Sequence, residues 1–352
     1  MIIKILTKDI EPQYNDFILS FADSLFYHSL LFKKLLKELF HFEDYYLVAV
    51  EDDNIIGVLP AFLSKTSLGN SLNSLPFFGS NGGMITHRKD NEQIKIQLLR
   101  TFYELAEEKN CLTSTIINSP FEENPSIYDS FNPDFYDRRI GQITDLPQYN
   151  ERIEEELLYM YSAFTRRMIR KALKNSVVVK KERSGESLDF LKYSHIENMR
   201  HIGGKIKPPE FFEYVYENFR FDKDYTIWVA YYGDTPIASL LLFYFNNTVE
   251  YYIPAITRDY RSIQPLSLII FKAMVDASKK GYKYWNWGGT WPDQEGVYRF
   301  KKKWNARNIA YQHFIKIHNQ EIFNYSPDEV SSAFPYFYVI PFDQLNSVSK
   351  DK

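Results

Sequence analysis

Residues 228–244 read WVAYYGDTPIASLLLFY, and the same pattern occurs earlier in the chain, where residues 47–63 read LVAVEDDNIIGVLPAFL. Aligned without gaps, each copy consists of an apolar run rich in strand-forming residues, a short polar turn and a second apolar run. The turns are Asp52-Asp53 in one copy and Gly233-Asp234 in the other, both of which favour a tight β-hairpin. The repeat therefore predicts two copies of one α/β unit.

The sequence after each hairpin supports the same interpretation. Residues 93–109 have apolar side chains at helical spacing and precede the apolar run CLTSTII at 111–117. Residues 265–280 have the same helical pattern and precede YKYWNW at 282–287. Because the strands of each unit are joined by hairpins, we expect an α/β fold with mixed sheets rather than a doubly wound parallel sheet.

Length and repeat together set the predicted domains. The chain has 352 residues, and at roughly 150 residues per domain this corresponds to two domains. We predict an N-terminal domain over 1–145, a C-terminal domain over 146–320 and a tail over 321–352. A long helix from about residue 150 to residue 174 is expected to begin the second domain.

Composition excludes several classes of protein. Apolar residues make up 45% of the chain and charged residues 25%, values typical of a folded globular protein. The net charge of −3 argues against a general nucleic-acid-binding protein. The single cysteine, Cys111, excludes an intramolecular disulfide and is expected to be a buried structural thiol.

The sequence also lacks the usual signs of secretion, membrane insertion or cofactor binding. The N-terminal apolar run is too short for a signal peptide, and no long uncharged apolar segment predicts a transmembrane helix, so a cytoplasmic protein is expected. The phosphate-binding, dinucleotide-binding and nucleophile-elbow motifs are absent, and the seven histidines have no metal-ligand spacing. We therefore expect no metal and no permanently bound cofactor.

A basic stripe lies at the end of the predicted helix at 150–174. Arg167, Arg170, Lys171 and Lys174 recur at three- and four-residue spacing, which places them on one helical face. One interpretation is a solvated face in which the cations complement the helix dipole. The other is a phosphate-binding surface, and the pattern alone leaves both open.

The segment most indicative of function is 281–307, which reads GYKYWNWGGTWPDQEGVYRFKKKWNAR. Gly288-Gly289 follow the predicted strand, and a glycine pair allows the backbone to approach a ligand or to turn sharply. One interpretation is a loop and short helix with exposed lysines. The other is the rim of a substrate cleft in which Lys301 stabilises developing negative charge.

These residues resemble a known family. YWNWGGT at 284–290 with EGVYRFKKKWNA at 295–306 resembles the signature of the Fem-like peptidyltransferases, which have tandem domains of the GCN5-related N-acyltransferase (GNAT) fold. RRMIRKALKNSVVV at 166–179 and the helix region at 260–281 are also similar to that family. The resemblance extends over about residues 25–318 and implies two tandem GNAT-like domains, with the catalytic site in the second.

The resemblance implies that an amine attacks an activated acyl or aminoacyl group and forms an amide. The acceptor would be a nucleotide- or lipid-linked glycan precursor or a peptidoglycan precursor of the bacterial cell envelope. The alternatives are acyl-CoA-dependent acetylation of an amino sugar nucleotide and a catalytically silent ligand-binding module of the same fold.

The resemblance implies aminoacyl-tRNA or acyl-CoA as the donor. GNAT proteins that use acyl-CoA have a glycine-containing loop before the long helix, whose amides bind the pyrophosphate. Residues 258–265 of this chain read RDYRSIQP and contain no glycine. Residues 278–316 combine nine lysines and arginines with aromatic residues, among them Trp285 and Trp304. This composition suits a tRNA end, although aromatic residues in the core with solvated lysines would give the same pattern. We therefore favour aminoacyl-tRNA.

The predicted site residues fall into three groups. The expected catalytic residues are Lys301, for charge stabilisation, and Tyr298 and Asp293, for proton transfer. Gly79, Gly82 and Gly83 are expected in an acceptor groove of the first domain. The expected substrate-binding residues are Arg167, Arg170, Arg258, Arg261, Trp287, Gly288, Gly289 and Phe300.

Overall fold

The computed structural model describes residues 1–77, 82–87, 92–122 and 126–345. The described strands are β1 Ile2–Ile5, β2 Glu43–Asp44, β3 Leu47–Glu51, β4 Asn54–Leu59, β5 Phe62–Thr66, β6 Gly69–Asn73, β7 Ile85–Thr86, β8 Cys111–Ile117, β9 Phe135–Asp145, β10 Val178–Glu182, β11 Tyr225–Tyr232, β12 Thr235–Phe245, β13 Thr248–Ile256, β14 Tyr284–Thr290 and β15 Arg307–Ile317. The described α-helices are α1 Glu11–Ser20, α2 Leu30–Phe40, α3 Glu92–Glu108, α4 Ser126–Asp129, α5 Ile153–Met160, α6 Ala163–Lys174, α7 Gly185–Ile202, α8 Pro209–Asn218, α9 Pro265–Lys279, α10 Glu295–Lys302 and α11 Pro327–Ala333.

The chain forms a mixed α/β structure with two compact units. Unit 1 contains Met1–Ile140 together with Ile309–Lys352, and unit 2 contains Gly141–Asn308. The domain boundaries drawn from the sequence lie at residues 145 and 320. The unit boundaries lie inside β9 and β15, where a change in sequence composition gives no signal.

Unit 2 is built around the strands β10-β11-β12-β13-β14, in that order. The pairs β10-β11, β11-β12 and β12-β13 are antiparallel. In contrast, β14 pairs with β13 in parallel and is connected to it through the crossover helix α9. Leu242 packs in the core cluster that contains α9, while the adjacent Phe243 contacts Phe211 of α8. Because neighbouring strand residues point to opposite faces, α8 and α9 cover opposite faces of the sheet.

The predicted repeat is confirmed as a pair of antiparallel hairpins. β3 pairs with β4 and β11 pairs with β12. Each hairpin has a register shift, between Ala49 and Val50 in one and between Ala230 and Tyr231 in the other. These positions coincide when 47–63 is aligned with 228–244, so the two copies share a local β-bulge that the sequence alone does not reveal.

Helices α3 and α9 confirm the two predicted helical patterns to within one residue at each end. The single helix expected over 150–174 is wrong, because the chain forms α5 and α6 with a break at Tyr161 and Ser162. Ser162 caps the second helix, since its side chain accepts a hydrogen bond from the Thr165 amide. No helix of the described chain is long and apolar enough to cross a membrane.

Unit 1 contains the sheet β1-β3-β4-β7 and the strands β2-β5-β6-β8, with part of β15 paired to β8. Cys111 is buried at the start of β8, and burial raises the pKa of its thiol to about 12, in agreement with a structural role. Gly83 is tightly packed, because a Cβ there would lie 2.8 Å from the Ile117 carbonyl oxygen. Gly79, expected with Gly82 and Gly83 in an acceptor groove, lies outside the described residues.

Candidate active site

The site is organised by the point at which β13 and β14 stop pairing, here called the strand fork. The two strands pair in parallel over Thr248–Glu250 and Tyr284–Asn286. β13 then has a register irregularity opposite Leu241 and Leu242, and both strands continue without further pairing to each other. In α/β proteins, ligands bind beyond the carboxyl ends of parallel strands, and a fork at these ends is a natural place for a substrate.

A buried polar chain starts at the fork. Glu250 and Asn286 are opposite each other in the last pair, and the Glu250 Oε2 atom accepts a hydrogen bond of 2.9 Å from Asn286 Nδ2. The Oδ1 atom of Asn286 accepts a hydrogen bond of 2.9 Å from the Gly288 amide. Both side chains are buried, so their polar groups fix the backbone of the glycine pair from inside the protein.

Sequence reasoning did not identify Glu250 or Asn286. The available signal was a single carboxylate in the otherwise uncharged strand TVEYYIPAI at 248–256. A buried carboxylate is costly unless it is bound by donors, so a charged residue in a buried strand marks a polar site.

Lys301 lies on the other side of the glycine pair. Its Nζ atom donates hydrogen bonds to the Gly288 oxygen at 3.3 Å, the Gly289 oxygen at 3.0 Å and the Thr290 Oγ1 atom at 2.7 Å. The side chain is only 5% exposed, and burial lowers the pKa of its ammonium to about 8. These three acceptors are neutral oxygen atoms and not carboxylates. The Lys301 ammonium therefore has no anionic partner among them.

The glycine pair is therefore held from both sides. The amide of Gly288 is bound by Asn286 and its carbonyl by Lys301. The pair also belongs to β14 itself, which continues to Thr290, and does not follow the strand as the sequence predicted. Gly288 has a φ of 69°, in the left-handed region that glycine adopts readily.

Phe300 and Lys301 are adjacent on α10 but differ in their burial. Lys301 is the buried residue, and Phe300 is half-buried beside the core. Phe300 lines a cavity of about 100 Å³ together with Phe164 of α6 and Gln264 before α9. The cavity brings α6, the start of α9 and α10 to one place within unit 2.

Arg258 and Arg261 line a second cavity in unit 2, of about 230 Å³. Both arginines are exposed on the short helical turn after β13. The opposite wall is formed by α7, which contributes Asn198 and His201. This cavity lies at the carboxyl end of β13, since Ile256 is also in its lining.

The other predicted site residues differ in their placement. Trp287 is buried in the core, and its Nε1 atom donates a hydrogen bond of 2.9 Å to Thr144 Oγ1, so it supports the site from behind. Tyr298 is half-buried on α10, three residues before Lys301, and its hydroxyl accepts a hydrogen bond from Asn308 Nδ2. Asp293 is exposed in the turn between β14 and α10.

Arg167 and Arg170 are exposed on the solvent side of α6, whose buried side consists of Thr165, Ile169 and Ala172. The guanidinium of Arg167 lies 5.3 Å from the ring centroid of Phe164. Of the two arginines, Arg167 is thus the one in contact with a side chain that lines the 100 Å³ cavity.

Comparisons with known proteins identify the fold and one matching domain. Residues 162–302 match the family model described as an acetyltransferase (GNAT) domain. No curated protein matches the chain. The crystal structure of FemX is similar with a TM-score of 0.70 at 14% identity, and the match covers 92% of this chain and 99% of FemX.

Two further structures have the same fold at lower similarity. The C-terminal domain of a putative lysylphosphatidylglycerol synthetase from Agrobacterium fabrum matches with a TM-score of 0.55 at 12% identity, covering 87% of this chain and 91% of that domain. A tandem GNAT protein from the clavulanic acid biosynthesis pathway matches with a TM-score of 0.52 at 10% identity, covering 89% and 97%. Residues 162–302 therefore match a GNAT domain, and the chain has the Fem-like GNAT fold with tandem domains.

Proposed function

We propose that this protein is an acyltransferase that forms an amide on an amine of a bacterial cell-envelope glycan or peptidoglycan precursor. The acceptor amine attacks the carbonyl carbon of an ester or thioester, the new C–N bond forms, and the bond to the leaving oxygen or sulfur breaks. The amine loses a proton, and the carbonyl oxygen carries negative charge on the way to the product. The site must therefore position two reactants, accept a proton and stabilise an oxyanion.

The observation that carries the proposal is the buried Lys301 ammonium beside the glycine pair. Its three hydrogen-bond acceptors are neutral, and burial lowers its pKa because the charge is disfavoured there. A negative charge that develops nearby would relieve this cost, so the cation favours the transition state over the free site. Lys301 therefore acts as a fixed positive charge in the proposed mechanism.

Proton transfer is assigned to residues of the same segment. Tyr298 is half-buried, with its hydroxyl hydrogen-bonded to Asn308, and Asp293 is exposed in the preceding turn. An amine that attacks a carbonyl becomes more acidic as its nitrogen acquires positive charge, so a weak base within reach suffices. We propose Tyr298 and Asp293 for this step and the cavity beside Arg258 and Arg261 for anionic groups of the acceptor.

We propose aminoacyl-tRNA as the donor because the start of α9 is poorly suited to a diphosphate. Pro265 has no amide hydrogen, and the Gln264 and Ser267 amides donate to the Arg261 and Gln264 carbonyls. Few backbone donors therefore remain for a pyrophosphate at this helix end. The match of residues 162–302 to an acetyltransferase domain favours the second candidate, acyl-CoA-dependent acetylation of an amino sugar nucleotide.

The proposal is tested by incubating the purified protein with a panel of amino sugar nucleotides and lipid- or nucleotide-linked peptidoglycan precursors. Each acceptor is paired with aminoacyl-tRNA or with acetyl-CoA, and amide products are detected by mass spectrometry. An aminoacylated acceptor is the expected result, and an acetylated amino sugar nucleotide would support the second candidate. Binding of an acceptor without any product from any donor would identify a catalytically silent module and refute the enzyme assignment.

A further inference from the structure

Helix α6 presents four cations to solvent. Arg167, Arg170, Lys171 and Lys174, here called the basic face, are all exposed, and no ion pair joins any of them to a carboxylate in the described part of the chain. Many other cations of unit 2 do have such partners, namely Lys181, Lys192, Arg200, Arg220, Lys272, Lys280, Arg299 and Arg307. In a chain with a net charge of −3, this face is a local concentration of positive charge.

Large apolar side chains border the basic face. Phe164 is 45% exposed and Leu173 is 52% exposed, although the opposite side of α6 already packs in the core. Phe164 is three residues before Arg167, and Leu173 is three residues after Arg170, so each is next to a cation on the helix surface. The Lys303 Nζ atom lies 4.1 Å from the centroid of the Phe164 ring and adds a further cation at this border.

The same combination continues beyond both ends of the helix. Tyr159, near the end of α5, is 87% exposed, and Val178, at the start of β10, is 50% exposed. Lys180 follows on β10 and is also exposed. Over residues 159–180 the surface of unit 2 therefore carries both exposed cations and exposed apolar side chains.

We propose that α6 docks this protein onto a bilayer surface that contains anionic lipids. The cations would contact the lipid headgroups, and Phe164 and Leu173 would enter the boundary between the headgroups and the acyl chains. The aliphatic Leu173 and Val178 favour a bilayer over a nucleic acid, because they offer a polyphosphate backbone neither charge nor a stacking surface. The inference goes beyond amide formation and does not depend on it.

The first test measures binding of the full chain to vesicles by co-sedimentation. Vesicles of phosphatidylcholine mixed with phosphatidylglycerol are compared with vesicles of phosphatidylcholine alone. Replacing Arg167, Arg170, Lys171 and Lys174 by glutamine is expected to weaken binding to the mixed vesicles on the order of a thousandfold, since each cation near an anionic surface contributes independently. The matched control replaces four exposed lysines elsewhere, Lys4, Lys8, Lys223 and Lys283, by glutamine, and changes the net charge equally.

The second test separates a bilayer from a nucleic acid. Leu173→Ser with Phe164→Ala is expected to abolish the binding to mixed vesicles that persists at high salt, whereas Ile202→Ser with Tyr232→Ser, two comparably exposed positions, leaves it intact. Circular dichroism and thermal melting establish that each variant is folded. Equal binding of the two four-site glutamine variants to mixed vesicles would overturn the proposal, as would wild-type protein that binds tRNA but not the mixed vesicles. Because no acceptor or donor is present, these outcomes leave the proposed enzymatic activity to its own assay.

Discussion

At the scale of single residues, the site depends on a lysine whose burial has an energetic cost. Lys301 and Lys302 are neighbours on α10, yet the first is buried against Gly288 and Gly289 while the second is exposed. A lysine that serves only solubility would be on the outer side of the helix, as Lys302 is. The contrast between the two residues provides a matched pair for mutation.

We expect Lys301→Met to lower the rate of amide formation on the order of a hundredfold, because it keeps the aliphatic stem and removes the fixed charge. Lys302→Met is expected to remain within about twofold of the wild type, as usual for a surface substitution away from the reacting atoms. Steady-state kinetics with thermal melting of both variants checks this. A folded Lys301→Met protein with normal turnover would remove Lys301 from the mechanism.

The pKa of Lys301 also predicts the pH dependence of the reaction. Burial lowers this pKa to about 8, so the ammonium is present below that pH and is lost as the pH rises through it. If the charge stabilises the oxyanion, the rate should fall on the alkaline side with a midpoint near that value. The residual activity of Lys301→Met should lack this decline, and an unchanged alkaline limb in the variant would assign the decline to another group.

Glu250 and Asn286 are interpreted as positioning residues, because they act through the Gly288 amide. Glu250→Gln retains an oxygen that can accept from Asn286, so kcat should stay within about tenfold of the wild type, whereas Asn286→Ala should lower kcat further. A general base would behave differently, since its neutral variant typically loses about 10²–10⁴ in rate. A loss of that size in folded Glu250→Gln would make Glu250 the base.

At the scale of elements, the start of α9 shows why a missing glycine is informative. Gln264 precedes the helix with a φ of 63°, a left-handed conformation in which a side chain is strained. The sequence correctly shows that this turn lacks glycine. It does not show that Gln264 adopts the left-handed backbone conformation that glycine favours. That shape is imposed by tertiary packing around Pro265 and α9, which is invisible in a local pattern.

A pair of substitutions isolates this strain. Gln264→Gly and Gln264→Ala both remove the side chain, and we expect the glycine variant to have the larger free energy of unfolding, by about 1 kcal/mol. At Ser262, in the helical turn Arg258–Ile263 just before, the order should reverse, with alanine more stabilising than glycine by about 0.5–1 kcal/mol. Chemical denaturation measures all four variants, and equal stability of the two Gln264 variants would show that the left-handed turn is absent in solution.

Local patterns predict the helices and hairpins well where they depend on periodicity. They fail at Ser162, because a serine in a helical pattern becomes a cap only when the chain direction changes there. For Trp285 and Trp304 the local pattern leaves RNA stacking and core packing both open, and the structure buries both side chains in the core. Burial depends on contacts distant in sequence, such as the hydrogen bond from Trp287 to Thr144, and these are not encoded in a short window.

At the scale of the whole molecule, the internal repeat is enough to predict the tandem organisation, while the difference between the copies supports the proposed site in unit 2. Both hairpins share the β-bulge, whereas Lys301 and its hydrogen bonds to Gly288 and Gly289 belong to unit 2. The family match to residues 162–302 lies within that same unit. The hairpin is thus repeated in both units, whereas the proposed site is formed by residues outside the repeated hairpin.

Calorimetry on the whole protein can decide which donor it binds. The amides at the start of α9 are largely used within the turn, so we expect acetyl-CoA to show no binding in the micromolar range. Aminoacyl-tRNA should bind, and its affinity should fall steeply with salt because phosphate contacts release counterions. Uncharged tRNA serves as the control for the contribution of the aminoacyl group. Micromolar binding of acetyl-CoA without binding of aminoacyl-tRNA would reverse the choice of donor. The proposed role of Lys301 would remain, because an oxyanion forms with either leaving group.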